Sequence, residues 1–283
     1  FPMEITAVRP ACTVPISVSG EHCALNCAHC GKHYLKGMQS LKSALEGDIA
    51  PEKEHQSRAP LRAQSYLISG GCTSQGKVPL VPYLDKLEQL SKTSRLNVHT
   101  GLVNKEEAKA LSEVADAASF DFVGNRDIIQ KVYGLNKDVS DYLHSYRNLV
   151  DSFGMDRVVP HVTIGLLEGK ISNEAEAVSL LALEGISKLA LLVFRPTPGT
   201  QFEKIPPPNL EEVAAVIAKI RTIIPTVPIY LGCMRPGGSY RNLLDRVAVQ
   251  CGLNKIVQPA GSFKAAAKEK NLRIIYEEEC CSL

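Results

Sequence analysis

The chain has 283 residues, of which 45% are hydrophobic and 22% are charged, the composition of a globular protein. Its formal net charge of +2 provides no field for a polyanion, and no cluster of lysines or arginines indicates a nucleic-acid partner. No apolar run reaches the ~18 residues of a membrane span and no signal-peptide pattern is present, so we expect a cytoplasmic protein without membrane association.

Short β-branched runs alternate with helical stretches, the pattern of βαβ units around a parallel sheet. Eight strands are predicted, at residues 15–19, 65–69, 95–100, 119–123, 158–166, 188–195, 228–233 and 255–258. Eight parallel strands close a (β/α)8 barrel, with the active site at their carboxyl ends. The sequence therefore predicts an α/β fold of the TIM-barrel type. Residues 1–270 form the barrel domain, and residues 271–283 form a short C-terminal tail over the barrel mouth.

Helix signals separate these strands. Asn104, with Glu107 three residues later, has the residues of a capping box. An apolar stripe that begins at Leu210 follows a run of three prolines and predicts another helix. Residues 38–62 predict a helix followed by a charged surface loop.

Cys23, Cys27 and Cys30 follow the first predicted strand with the spacing C-x3-C-x2-C. Three thiolates this close can bind three irons of a 4Fe–4S cluster and leave the fourth iron open, whereas ferredoxin-type runs supply a fourth cysteine and only carry electrons. An open metal position is where a substrate or cofactor binds. The alternatives are a disulfide knot or a zinc site, but zinc loops usually pair two short C-x2-C or C-x2-H knuckles. The total of nine cysteines is odd, which fits a disulfide framework badly and favours metal chemistry in a reducing compartment.

This run resembles the motif of the radical S-adenosylmethionine superfamily, C-x3-C-x-Φ-C on the loop after the first barrel strand, with His29 at the aromatic position. The resemblance implies a 4Fe–4S cluster whose open iron is chelated by the amino and carboxylate groups of S-adenosylmethionine. It also implies a 5′-deoxyadenosyl radical that abstracts hydrogen from a substrate. An electron donor such as ferredoxin or flavodoxin is the implied partner.

Two glycines after the second predicted strand are candidates for cofactor binding. The segment Ser69–Cys72 resembles the Gly-Gly segment that contacts the methionine amino group in this superfamily, and glycines allow such a close approach of the backbone. Gly70 and Gly71 are therefore candidate ligands of the cofactor, although a plain turn is the alternative. The family more often has Glu or Asp where Cys72 stands.

Three charged or titratable residues lie on later predicted strands. Asp121 stands between phenylalanines, and a charge there must be paired or face a polar cavity. We expect it to contact the ribose or amino group of the cofactor, with a structural ion pair as the alternative. Arg195 could pair with the methionine carboxylate, because its fork matches a carboxylate. His161 is a similar candidate, with a hydrogen-bonded core histidine as the alternative.

A second set of cysteines predicts an auxiliary cluster. Cys72 and Cys233 end predicted strands, so both should face the barrel mouth, and Cys280 and Cys281 lie on the tail that could fold over it. Soft thiolates that converge in a reducing compartment favour an iron–sulfur cluster. The alternative is that Cys72 and Cys233 are small buried apolar residues and that Cys280 and Cys281 are an oxidation-prone pair without a metal.

Loop segments indicate a branch of the superfamily. Residues 127–133, 195–201 and 232–236 resemble the biotin synthase-like branch, which includes methylornithine synthase and the hydrogenase-cofactor maturases. Segments 69–72, 99–103 and 232–236 and the terminal Cys-Cys look similar to archaeal-type two-component lipoyl synthases. That resemblance implies sulfur insertion into an unactivated C–H bond of an octanoyl chain on a carrier protein, with the auxiliary cluster as sulfur source and a paralogous subunit as partner.

Two alternatives stay open at this point. One is a radical mutase or cofactor maturase of the same branch, which would act on a small-molecule substrate without sulfur transfer. The other, from a different class, is an iron–sulfur electron carrier.

Overall fold

The computed structural model describes residues 3–48 and 63–283. The strands are β1 (Glu4–Val8), β2 (Thr13–Ser17), β3 (Gln39–Ser40), β4 (Ser65–Ser69), β5 (Arg95–His99), β6 (Ala117–Asp121), β7 (Val158–Ile164), β8 (Leu189–Val193), β9 (Ile229–Leu231), β10 (Lys255–Val257) and β11 (Arg273–Glu277). The helices are α1 (Leu41–Glu46), α2 (Leu84–Ser91), α3 (Lys105–Ser112), α4 (Arg126–Lys131), α5 (Val139–Phe153), α6 (Glu174–Glu184), α7 (Leu210–Ile223), α8 (Gly238–Gln250) and α9 (Ser262–Glu269).

The strands form one curled, parallel sheet in the order β11-β1-β10-β9-β8-β7-β6-β5-β4-β2-β3. The predicted α/β barrel is confirmed, and its eight strands are present as β2 and β4 to β10. Within the described ranges the two edge strands, β11 and β3, do not pair with each other, so the strand ladder stays open. The ladder stays open because β1 pairs with the edge of β10. In a closed eight-stranded barrel, β2 would pair with that edge.

The core is mainly aliphatic, because the parallel strands are covered on both sides. In β8, Leu189, Ala190, Leu191 and Val193 are each 0% exposed, as a continuous apolar run predicts. A fully buried leucine or valine contributes about 1.5–3 kcal/mol. A second, smaller apolar cluster, formed by Val159, Ala190 and Tyr230, packs against Cys281 of the C-terminal segment.

Helix boundaries follow their caps. The predicted capping box of α3 is present, since the Asn104 side chain accepts from the Glu107 N–H and the Glu107 carboxylate accepts from the Asn104 N–H. Asn209 caps α7 in a similar way, accepting from two N–H groups of the first turn. Of the helix and loop predicted at 38–62, α1 is present, and the loop from residue 49 lies outside the described residues.

The C-terminal segment differs from the prediction of a tail over the barrel mouth. Residues 273–277 form β11, which pairs with β1 along its whole length. The residues after it turn under the barrel, where the Cys12 N–H donates to the Glu278 carbonyl and the Cys280 N–H donates to Thr13 Oγ1. Both partners stand at the start of β2, so the segment closes the amino-terminal end. β11 runs parallel to β1, and its last residue, Glu277, pairs with Val8. The chain therefore leaves the sheet beside the short segment that leads from β1 into the start of β2.

No helix in the two described ranges has the length and apolarity that crossing a bilayer requires.

Candidate functional site

The cysteines of the C-x3-C-x2-C run lie on the loop that leaves the carboxyl end of β2. All are free, half-buried thiols. After the third cysteine the chain turns through two left-handed residues, Gly31 (φ 49°) and Lys32 (φ 65°). This turn aims backbone N–H groups at the Cys30 sulfur, and they oppose the rise in pKa that burial causes. These N–H donors favour the thiolate form of Cys30.

The thiols of this loop are close enough to act on one another. Burial raises the pKa of Cys27 to about 12, and the neighbouring sulfurs of Cys30, Cys72 and Cys23 add to the rise. Three or four negative sulfurs this close repel one another unless a metal neutralises them. Metal binding must therefore displace protons from this set.

The Gly-Gly segment packs directly against the cysteine loop. The Gly71 N–H donates to Ser19 Oγ at 2.7 Å, the Cys72 N–H donates to Cys23 Sγ at 3.2 Å, and the Ala24 N–H donates to the Cys72 carbonyl at 2.8 Å. A Cβ at Gly71 would overlap the carbonyl oxygen of the preceding loop and lie 2.5 Å from Cys23 Cβ. Gly71 is therefore needed for the approach of one protein segment to another. Contact of Gly70 and Gly71 with a cofactor stays a prediction.

The side chain of Cys72 belongs with the first cysteine set. Burial raises its pKa to about 12, and the charges of Cys23, Asp121 and Cys30 add to the rise. The sequence grouped Cys72 with Cys233 and the tail because both end strands. The backbone pairing of Cys72 with the cysteine loop instead directs it to the first set.

The tail cysteines enter the barrel from its amino-terminal end. The Asn97 side-chain amide donates to Cys280 Sγ at 3.4 Å, and the Ser119 hydroxyl contacts the Ser282 hydroxyl at 3.0 Å. A hydrogen bond between Cys280 and Cys281 lowers the pKa of Cys280 and raises that of Cys281. The pair therefore holds one thiolate more readily than two.

Cys233 is the third thiol of this second set. Solvent reaches its side chain, yet burial within the surrounding protein raises its pKa, and the charge of Cys280 adds to the rise. That combination is expected for a thiol that faces an open barrel interior. The charge of Cys233 in turn raises the pKa of Cys281. Cys233, Cys280 and Cys281 thus interact inside the barrel, and the tail reaches this place from the amino-terminal end rather than over the mouth. An auxiliary cluster on these cysteines stays a prediction.

Two stacked histidines lie in the interior between the two thiol sets. The rings of His99 and His161 have centroids 5.3 Å apart. His161 Nδ1 is buried without a hydrogen-bond partner in the described chain, and it lies 3.7 Å from the Asp121 carboxylate. Burial lowers the pKa of His161 to about 4, so the ring is neutral at pH 7 and the contact is not an ion pair there. Asp121 keeps a side chain that is 54% exposed, turned toward open space.

A pocket of about 360 Å³ opens at the carboxyl ends of β6 and β7. Asp121 and His161 line it together with Asn125, Thr163 and Asn173. Both strands end in polar groups here, so the pocket suits a ligand with several hydrogen-bonding atoms.

Arg195 lies on the proline-rich loop after β8. Thr197 on the same loop is buried and shares a hydrogen bond of 2.9 Å with the Tyr34 hydroxyl, so the loop is tied to the turn that follows the cysteine run. Burial raises the pKa of Tyr34, and the positive charge of Arg195 opposes that rise. The guanidinium makes no hydrogen bond or ion pair with the residues that the structure describes, which leaves it free for an anion.

The residues of the cysteine loop fit an iron–sulfur cluster. The loop offers free thiols. His29, on the same loop, adds no positive charge at pH 7, because burial lowers its pKa to about 4. Its Nδ1 has no hydrogen-bond partner among the described residues. The His29 ring packs edge-on against Tyr133, with centroids 5.2 Å apart. In residues 3–48 and 63–283 no three His, Cys, Asp or Glu side chains converge on a position for one metal ion.

Sequence reasoning missed three interior residues. Asn97 and His99 were visible as polar positions at alternate places in a strand, which is the signal of an inward-facing row. Glu174 is 3% exposed, and its carboxylate accepts from the N–H groups of Gly165 and Ser172 at 2.9 and 2.8 Å. This carboxylate shapes the loop beside the pocket, and no local pattern indicates it.

No protein-family model and no curated protein matches the chain. Among solved structures, an FeFe-hydrogenase maturase HydG matches with a TM-score of 0.64 at 18% identity, over 90% of this chain and 57% of that one. HydG of Carboxydothermus hydrogenoformans matches with a TM-score of 0.61 at 15% identity, over 90% and 58% of the two chains. A methylornithine synthase, PylB, matches with a TM-score of 0.61 at 10% identity, over 96% and 84%.

The chain therefore spans less than three fifths of the two maturases that it matches. At these identities the likeness shows the fold. Both kinds of enzyme are among those that the cysteine motif and the loop segments resemble. The chain has the curled, parallel α/β barrel of these maturases and of methylornithine synthase.

Proposed function

We propose that the protein is a radical S-adenosylmethionine enzyme. One observation carries the proposal: the three free thiols of the C-x3-C-x2-C run lie together on the loop at the carboxyl end of β2, in a barrel of this architecture. The carboxyl ends of the strands are where barrels of this kind place their chemistry. When bound on Cys23, Cys27 and Cys30, a 4Fe–4S cluster would offer an open iron to S-adenosylmethionine and the electron for its cleavage.

The chain's own residues would bind and orient the cofactor. Arg195 is free to pair with the methionine carboxylate. Asp121 presents a half-exposed carboxylate to the pocket and can accept hydrogen bonds from the ribose or amino group. His161, neutral at pH 7, lines that pocket without adding a charge.

The proposal is tested by anaerobic reconstitution followed by electron paramagnetic resonance (EPR). We expect a reduced four-iron signal that changes when S-adenosylmethionine is added. Cys27→Ala should lose this signal, because it removes one of three ligands. Cys251→Ala is the matched control, since Cys251 closes α8 away from the loop and its thiol contacts the Ala214 carbonyl. A cluster signal that ignores S-adenosylmethionine in the unchanged protein would contradict the proposal.

We extend the proposal to sulfur insertion on the basis of a second observation. Cys233, Cys280 and Cys281 interact electrostatically inside the barrel, and Asn97 donates to one of their sulfurs. Three soft ligands in a reducing compartment suit an auxiliary iron–sulfur cluster. Such a cluster would supply the sulfur. The substrate class that the sequence resemblance implies is an octanoyl chain on a carrier protein, with a paralogous subunit as partner and ferredoxin or flavodoxin as electron donor.

Iron content separates this extension from a radical mutase or maturase without sulfur transfer. We expect about eight irons per chain, and about four after truncation beyond Glu278, because a four-iron cluster is lost. The double substitution C280S/C281S keeps the tail in place and should lose the same iron. Formation of 5′-deoxyadenosine should survive in both variants while thiolated product disappears. Full iron in both variants would refute the auxiliary cluster and favour the mutase or maturase alternative.

A further inference from the structure

The site proposed above contains a fourth thiol that the three-cysteine motif does not use. Cys72 follows β4, where the family more often has an acidic residue. Its N–H donates to Cys23 Sγ at 3.2 Å, and its carbonyl accepts from the Ala24 N–H at 2.8 Å. These two contacts hold the backbone of Cys72 against Cys23, the first cysteine of the run, and against Ala24, which follows it.

The side chain of Cys72 lies beside the same set, because the backbone that carries it contacts Cys23 Sγ. Its sulfur interacts with those of Cys23 and Cys30, and also with that of Cys27. The thiol is free and half-buried, so it is available to a metal.

We infer that Cys72 binds the fourth iron of the cluster when S-adenosylmethionine is absent, and that S-adenosylmethionine displaces it. This inference rests on the proposed function for the cluster at Cys23, Cys27 and Cys30. The resting cluster would then have four protein ligands, and the cofactor would open it.

The exchange is a balanced ligand substitution without a change in oxidation state. The bond between the iron and Cys72 Sγ breaks, and bonds form from the iron to the amino nitrogen and carboxylate of S-adenosylmethionine. The ammonium group of the cofactor must lose one proton before it can bind iron. The released thiolate takes up that proton. No net proton and no electron is exchanged.

A protein-bound fourth iron has a consequence that does not depend on turnover. An iron without a protein ligand is lost readily when the cluster is oxidised, which leaves a three-iron cluster with its own EPR signal. Cys72 would hold that iron in the resting protein. It would also compete with the cofactor, since only the fraction of molecules with a free iron can bind S-adenosylmethionine.

The experiment compares the unchanged full-length protein with Cys72→Ala, Cys72→Ser and the control Cys251→Ala. Each is reconstituted, oxidised briefly with ferricyanide without S-adenosylmethionine, and the three-iron signal is measured by EPR. We expect several-fold more three-iron cluster in both Cys72 variants than in the unchanged protein and the control. We also expect Cys72→Ala to bind S-adenosylmethionine about tenfold more tightly, if a tenth of the resting clusters have a free iron.

Equal three-iron signals in the unchanged protein and both Cys72 variants would overturn the inference while leaving the radical enzyme possible. Cys72→Ser conserves the size of the side chain, so agreement between the two variants excludes a folding defect as the cause. If none of the proteins changes its EPR spectrum with S-adenosylmethionine, the displacement step and the proposed function both fail. If, in addition, the cluster of the unchanged protein loses less iron on oxidation than that of the Cys72 variants, the protein is a four-cysteine electron carrier.

Discussion

Gly71 offers a graded test of the contact between the Gly-Gly segment and the cysteine loop. A Cβ at this position would lie 2.5 Å from Cys23 Cβ and overlap the His22 carbonyl oxygen, both parts of the loop that carries the motif. At Gly70 the nearest atoms would be Ser19 Oγ at 3.1 Å and Val18 Cγ2 at 3.2 Å, which small shifts can relieve. At Gly37 nothing lies within 4 Å.

The expected destabilisation follows these distances. Gly71→Ala must move backbone rather than a flexible side chain, so we expect a loss of about 3 kcal/mol or more in the free energy of unfolding, the upper end of the overpacking range. Gly70→Ala should lose about 1 kcal/mol, because its nearest neighbours are side-chain atoms. Gly37→Ala should change little, since its φ is not positive and the added methyl group meets no atom.

The assay is urea unfolding of the metal-free protein, followed by iron content after reconstitution. Because metal and cofactor are absent in the first measurement, it isolates packing between the two segments. We expect Gly71→Ala to lose both stability and cluster iron. If Gly71→Ala were as stable as Gly37→Ala and failed only to bind S-adenosylmethionine, the glycine would serve the cofactor rather than the loop.

Three further changes test other parts of the structure by urea unfolding of the metal-free protein. Arg235→Met should cost about 3–5 kcal/mol, because Arg235 and Asp245 are both 0% exposed and the substitution leaves the carboxylate unpaired; a loss under about 1 kcal/mol would contradict this. Burial lowers the pKa of His161 from 6.5 to about 4, so its contribution to stability is fully present above pH 6.5 and is lost as the pH falls toward 4. We expect a loss of about 3 kcal/mol that His161→Gln does not show, and equal losses would refute the assignment. Asn104→Ala removes the cap of α3 and should cost about 1 kcal/mol, whereas no change would show that the cap is unimportant.

The sequence was sufficient for the elements whose signal is local. The apolar runs predicted eight strands, because strands buried on both faces leave that pattern, and Asn104 with Glu107 predicted the start of α3. The edge strand β11 was missed because its short Ile-Ile-Tyr run stands among charged residues.

The placement of the cysteines could be predicted only in part. The spacing of Cys23, Cys27 and Cys30 is local and indicated one set directly. Whether Cys72 lies with these three cysteines or with Cys233 depends on which loop the Gly-Gly segment packs against. That packing is a tertiary contact, which the local sequence does not indicate. The entry of Cys280 from the amino-terminal end depends on the pairing of β11 with β1, which has no sequence signature.

The most direct test of the central claim is the amount of 5′-deoxyadenosine formed when the reconstituted protein is reduced with dithionite in the presence of S-adenosylmethionine. The account predicts stoichiometric formation in the unchanged protein and in Cys251→Ala, and none in Cys27→Ala. A protein that carries its full first cluster, accepts the electron and forms no 5′-deoxyadenosine would contradict it. So would a variant lacking all three of Cys23, Cys27 and Cys30 that still forms the product.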